Sequence, residues 1–253
     1  MGISIINEFG GLPLISDAFD VNKLLAALSV IRRFEYSSTF NLEDIDETPN
    51  IEFSVNFAIK LRSLKKSTNK IKSRKLSQSE EYAVIAALKE IERDFPLVSH
   101  YLVLPIDFKF LMSSEAISAS CFSSPQTIFL GRKAFITSVE LREQIIHELS
   151  HNYIYALEEV VQLTTHGSKR AFTLPSGTGN RTASELVGAA AVACTLIKYY
   201  SLFDLIGFQD RLNYLTLYLE GCLSVLTNEA HDLLTHEGRE VLSVLINFNK
   251  VKP

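Results

Sequence analysis

The stretch VELREQIIHELSHNYIYALEEVVQL, residues 139 to 163, runs 25 residues without glycine or proline, and it constrains the fold more than any other feature. Apolar residues recur in it at helical spacing, and Thr137 with Glu140 forms a capping-box pattern at its start, so it is expected to be one long helix. Other segments fall into place around it. VNKLLAALSVIRRF (21 to 34) has helical spacing and is followed by an acidic loop, NLEDIDETPN (41 to 50). Ser77 and Glu80 form a second capping-box pattern, opening a helix that Pro96 ends. HYLVLPIDFKFLM and SASCFSSPQTIFLGRKAF are rich in β-branched and aromatic residues and broken by proline and serine, which predicts short strands and a small sheet. A Gly/Ser/Thr-rich loop, TTHGSKRAFTLPSGTGNR, leads to the apolar ASELVGAAAVACTLIKYYSLF, expected to be a buried helix packed closely through its alanines. Two further helices are expected at about 208–227 and 229–248. The fold class read from this is α+β, predominantly α-helical, with a small β-sheet packed against a helical core. Its organisation is an N-terminal helical region ending in a basic linker (1–76), then one larger domain (77–253).

With 253 residues and 47% hydrophobic content the chain can bury a large core. No run of 18 apolar residues appears, and the N-terminus lacks a basic start before a continuous apolar stretch, so a soluble, cytoplasmic protein without a membrane partner is expected. Cys121, Cys194 and Cys222 are odd in number and lack CxxC spacing, which argues against a disulfide framework or a cysteine–zinc site. A net charge of −4 gives no global attraction to nucleic acid. One local anomaly stands out: RSLKKSTNKIKSRK (62 to 75) carries seven cations and no acid. It reads as a solvated linker or as a docking patch for an acidic peptide; nucleic acid ranks third, because no aromatic residues interleave to stack on bases.

The long helix carries the chemistry. His147-Glu148-Leu149-Ser150-His151 is an HExxH sequence. Residues four apart on a helix share a face, with Cβ atoms about 5–6 Å apart, so both imidazoles can reach one ion. Glu148 projects from an adjacent position, where it can take a proton from a metal-bound water rather than bind the metal. Ile145, Ile146, Leu149, Ile154 and Leu157 supply the apolar surroundings of a dry site. Two imidazoles leave the third ligand open. Glu185 starts the alanine-rich helix, where a carboxylate is costly to bury without a cation, yet Thr182-x-x-Glu185 also fits a capping box. His166 stands in the Gly/Ser-rich loop and reads as an exposed loop histidine. Arg181 precedes Glu185 by four residues; it is either a surface arginine or a clamp for a substrate carboxylate. His100, His231 and His236 are read as structural, and Tyr153 and Tyr155 as core or rim.

The block SPQTIFLGRKAF, then LREQIIHELSHNYIYAL, then a loop holding a proline and an arginine, then a small-residue helix, resembles the HExxH-motif peptide-modification proteins of ribosomal-peptide biosynthesis clusters. The likeness spans about residues 118 to 203, and HExxH is its sharp part. Some members are iron(II)- and 2-oxoglutarate-dependent peptide β-hydroxylases. The resemblance therefore implies a ribosomally made peptide substrate, iron(II) on His147 and His151, and 2-oxoglutarate whose distal carboxylate pairs with Arg181 or Arg170. That family's late helix carries a histidine, whereas RTASELVGAAAVA has none: Gly188 stands at its place in a gapless reading, and Glu185, about one turn earlier, is the substitute third ligand. A second resemblance is to zinc metallopeptidases whose third ligand is a downstream glutamate, satisfied by HELSH plus ASELVG with Glu148 as general base. The acidic residue four beyond that glutamate is absent here. A third reading is a peptide-binding protein with a degenerate metal site, favoured by the missing histidine and the basic run.

Overall fold

The structure is a computed structural model that describes residues 4–40, 55, 58–60, 71–113, 115–165, 170–203 and 207–251; the acidic loop at 41–50, residues 62–70 of the basic run and His166 lie outside them. In chain order the elements are α1 (Ile5–Glu8), α2 (Val21–Phe40), β1 (Ser73–Lys75), α3 (Gln78–Asp94), β2 (Asp107–Leu111), β3 (Ser118–Cys121), β4 (Ser124–Gly131), α4 (Ser138–Val160), α5 (Ala183–Tyr200), α6 (Gln209–Asn228) and α7 (His236–Val251). The fold is α+β and predominantly helical, as its sequence predicts. The chain forms two compact units, Met1–Asp20 with Val161–Pro253, and Val21–Val160. Residues on both sides of position 76 lie in the second of these.

The Val21–Val160 unit is built around α4. Its buried face carries Leu141, Ile145, Ile146, Leu149, Tyr153, Ile154 and Leu157, and each such side chain taken out of water stabilises the fold by about 2 kcal/mol. α2, α3, β3 and β4 pack on it. The sheet runs β1-β2-β4-β3, with β2 and β4 parallel and both outer pairs antiparallel. β4 is central and nearly all buried, as the Thr127-Ile128-Phe129-Leu130 run requires; β3 is an edge strand beside α4. β1 is the end of the basic run, which its composition did not mark as a strand. Register pairs Arg74 with Phe110 of β2, and the Arg74 guanidinium lies 3.8 Å from that ring's centre and on Glu80 at 2.7 and 2.8 Å. The Ser77–Glu80 capping box is formed in full. Before α4, Thr137 Oγ1 accepts from the Glu140 amide at 3.0 Å. Arg32 of α2 is 1% exposed and grips Glu159 of α4 through two 2.8 Å hydrogen bonds, which ties the two helices together two turns beyond His151.

In the other unit α5 is buried along almost its whole length, its alanines allowing α6 and α7 to pack closely. The Gly/Ser-rich stretch before it is partly regular: Phe172 and Arg181 exchange both backbone hydrogen bonds, at 2.8 and 3.0 Å, and Gly177 turns the chain with φ of 83°. The last helix begins at His236, not near 229. Thr235 Oγ1 accepts from the Gly238 amide at 3.1 Å, a cap that residue 229 lacks, and His231–Leu233 makes only a 3₁₀ turn. The N-terminal segment is held by Lys198, which donates to the Ile15 carbonyl at 2.9 Å and pairs with Asp17. No described helix is long and apolar enough to cross a membrane.

Candidate metal centre

His147, Glu148 and His151 all stand on α4. The helix brings the two imidazoles together as the spacing predicts: their ring centres lie 5.0 Å apart, with the planes at 62°. The His147 side chain is 34% exposed, so one face of the pair opens outward, whereas Glu148 is buried. Glu148 Oε1 lies 4.0 Å from His147 Nε2 and accepts from the Ser118 hydroxyl of β3 at 2.6 Å. Ser118 Oγ is also 2.7 Å from Gln144 Oε1, one turn earlier on α4. The second carboxylate oxygen, Glu148 Oε2, is buried without a hydrogen-bond partner. Leaving such an oxygen unsatisfied costs about 1–3 kcal/mol or more, so the site holds a polar atom suited to something the protein itself does not supply.

An aromatic wall closes one side. Tyr155, one turn beyond His151, stacks on its ring at 5.9 Å with the planes 15° apart, and Phe122 meets Tyr155 edge-on at 6.1 Å. Burial, with Glu148 and Glu158 nearby, pushes the Tyr155 phenol well above its ordinary range, so it stays a donor at any ordinary pH. Tyr153 points elsewhere: its hydroxyl donates to the Tyr101 carbonyl at 2.7 Å inside the core. Tyr155, read from the sequence as core or rim, stands at the edge of the imidazole pair; Gln144 and Ser118 were not singled out. Gln144 was legible, since it stands four residues from Glu148, but a serine on a strand 30 residues away carries no such signal.

Glu185, Arg181 and Arg170 lie in the unit that holds α5. Glu185 closes its helix start: Oε2 accepts from the Thr182 amide at 2.8 Å and hydroxyl at 3.1 Å, while Oε1 accepts from Arg181 Nη1 at 2.6 Å. Burial opposes its ionisation, but those partners outweigh it and hold the Glu185 carboxyl below its usual range. Arg181 is thus paired with the carboxylate it was to stand beside. Arg170 forks onto Asp232 at 2.9 and 3.0 Å and donates to the Glu229 carbonyl at 2.7 Å.

Two imidazoles on one helical face, with a fixed outer carboxylate, fit a divalent ion such as zinc or iron(II). Among the described residues no group of three or more His, Cys, Asp or Glu side chains forms a complete ligand set. Neither a protein-family profile nor a curated protein matches the chain.

Proposed function

We propose that the chain is a metal-dependent enzyme acting on peptides, with its ion on His147 and His151. The observation that carries this reading is the α4 cluster: two imidazoles 5.0 Å apart beside a buried carboxylate that Ser118 fixes at one oxygen and that is unpartnered at the other. When bound, the ion supplies either oxygen activation together with 2-oxoglutarate or acidification of a water. The likeness over residues 118–203 puts the first in front, as side-chain hydroxylation of a ribosomally made peptide with iron(II). The resemblance offers Glu185 as third donor and Arg181 or Arg170 as the partner of 2-oxoglutarate; here Glu185 is engaged by Thr182 and Arg181, and Arg170 by Asp232. The exposed edge of His147 and the Tyr155–Phe122 wall bound the side on which substrate approaches.

Zinc-dependent hydrolysis is the second reading, and the unpartnered Glu148 Oε2 favours it: that oxygen is the proton acceptor, while Ser118 holds the carboxylate by Oε1. A binding protein with a degenerate site is the third. We place the activity in the cytoplasm, where Cys121 and Cys222 persist as thiols. The test is to load the protein with iron(II) and, separately, with zinc, and to incubate each with acidic and neutral peptides. Oxygen-dependent succinate formation from 2-oxoglutarate supports hydroxylation; peptide cleavage by the zinc form supports hydrolysis; peptide binding with neither supports the third reading.

A further inference from the structure

We infer that Ser118 is a positioning residue that keeps Glu148 out of the metal's ligand set and in the role of an outer group. This rests on the proposed metal centre. Two donors about 2.1 Å from one tetrahedral ion stand roughly 3.4 Å apart. Glu148 Oε1 is 4.0 Å from His147 Nε2, so a carboxylate rotation of well under 1 Å separates it from a ligand's distance. An ion on His147 attracts that carboxylate, which is itself buried and therefore poorly screened on its own side. What opposes the slip is the 2.6 Å hydrogen bond from Ser118, a charge-assisted contact delivered from a different element.

The anchor is rigid for a reason legible in the fold. Ser118 pairs with Leu130 of the buried central strand β4, and Gly131, the last residue of β4, lets the chain just before β3 come close: a Cβ there would lie 2.5 Å from the Ala116 carbonyl oxygen. The Gly131 amide is hydrogen-bonded to the Ile117 carbonyl at 2.7 Å, so the backbone entering Ser118 is held on the strand that packs against α4. Gln144 Oε1, whose amide nitrogen donates to Glu140 Oε1 at 3.2 Å, stands 2.7 Å from the same hydroxyl and competes for its single proton, which the charged Glu148 carboxylate accepts more strongly. β3 therefore acts as a strut that sets the Glu148 carboxylate from outside the helix that bears it.

Cobalt(II) serves as the probe, because its visible spectrum reports ligand number and type. Wild type, Ser118→Ala, Ser118→Thr, Glu148→Gln and the Ser118→Ala/Glu148→Gln double variant are titrated with cobalt(II). The account expects Ser118→Ala to change the spectrum and to shift cobalt affinity by roughly tenfold, as loss of a group that orients metal-site residues does. Ser118→Thr, which keeps the hydroxyl, restores the wild-type spectrum. In the Glu148→Gln background the alanine changes neither spectrum nor affinity, because the carboxylate it would release is gone. A Ser118→Ala protein that binds cobalt like wild type overturns the inference, and so does an alanine effect of equal size in both backgrounds, which would mark a general disturbance of β3. Wild type that binds no cobalt overturns instead the metal centre on which the inference rests.

Discussion

At the scale of single residues, Glu148 and Glu185 are two glutamates with opposite surroundings. Glu148 is buried with a free oxygen, whereas both oxygens of Glu185 are occupied by Thr182 and Arg181. Glu148→Gln keeps the shape but removes the proton acceptor. It is expected to bind metal at the wild-type level and, if the reaction is hydrolytic, to lose most turnover; hydroxylation needs no such base and survives the change. Metal content and turnover of the one variant separate the two chemistries. For Glu185→Gln the bonds in the structure predict a loss of about 1 kcal/mol, the worth of a helix cap, with metal affinity unchanged. A fall in metal affinity of about tenfold or more would instead place Glu185 among the ligands.

At the scale of elements, two contacts give opposed forces that magnitude decides. Gly238 lies inside α7, where alanine ordinarily stabilises a helix by up to about 1 kcal/mol. Here a Cβ would stand 2.0 Å from the Leu163 carbonyl oxygen, so the helix must move. Gly238→Ala is therefore expected to destabilise by about 1–3 kcal/mol, read as a lower melting temperature. A gain in stability would show that this approach is looser than described. At the other end of the chain, the Arg74 guanidinium on β1 holds Glu80, the capping residue of α3, down to about 2. A carboxyl whose pKa is lowered on folding stabilises the native state above its unfolded value near 4.3, and that contribution disappears as pH falls toward about 2. Glu80→Gln should thus be less stable than wild type at pH 7, with the gap closing between about pH 5 and pH 2 in acid-unfolding curves. A gap that stays constant would mean that the pair carries none of the acid sensitivity. The element scale also shows what could be read ahead of the structure. Capping boxes at Ser77 and Thr182 act within four residues, so the starts of α3 and α5 were legible; β1 was not, because its three residues are polar and become a strand only by pairing with β2. The start of α7 was missed for a similar reason: apolar spacing continues back through Leu233, while the cap at Thr235 and the approach to Leu163 set the true boundary.

At the scale of the whole molecule, the α4 helix supplies both the core of the Val21–Val160 unit and its candidate chemistry. A periodic apolar face and an HExxH spacing are local properties, so helix and imidazole pair followed from sequence. Ser118 belongs to the same site but depends on how an edge strand is placed, and the engagement of Arg181 and Arg170 by Glu185 and Asp232 depends on partners up to 62 residues away. The helix that carries the candidate metal-binding pair is thus held by a strand on one side and by the Arg32–Glu159 pair on another. The most direct test of that claim is the metal content of protein purified without added metal and then equilibrated with zinc or iron(II), for wild type, His147→Ala and His151→Ala, with circular dichroism as a control for folding. The account predicts one ion per wild-type chain and at least a tenfold loss of affinity in each folded variant. One ion per chain retained at wild-type affinity in both variants would contradict it.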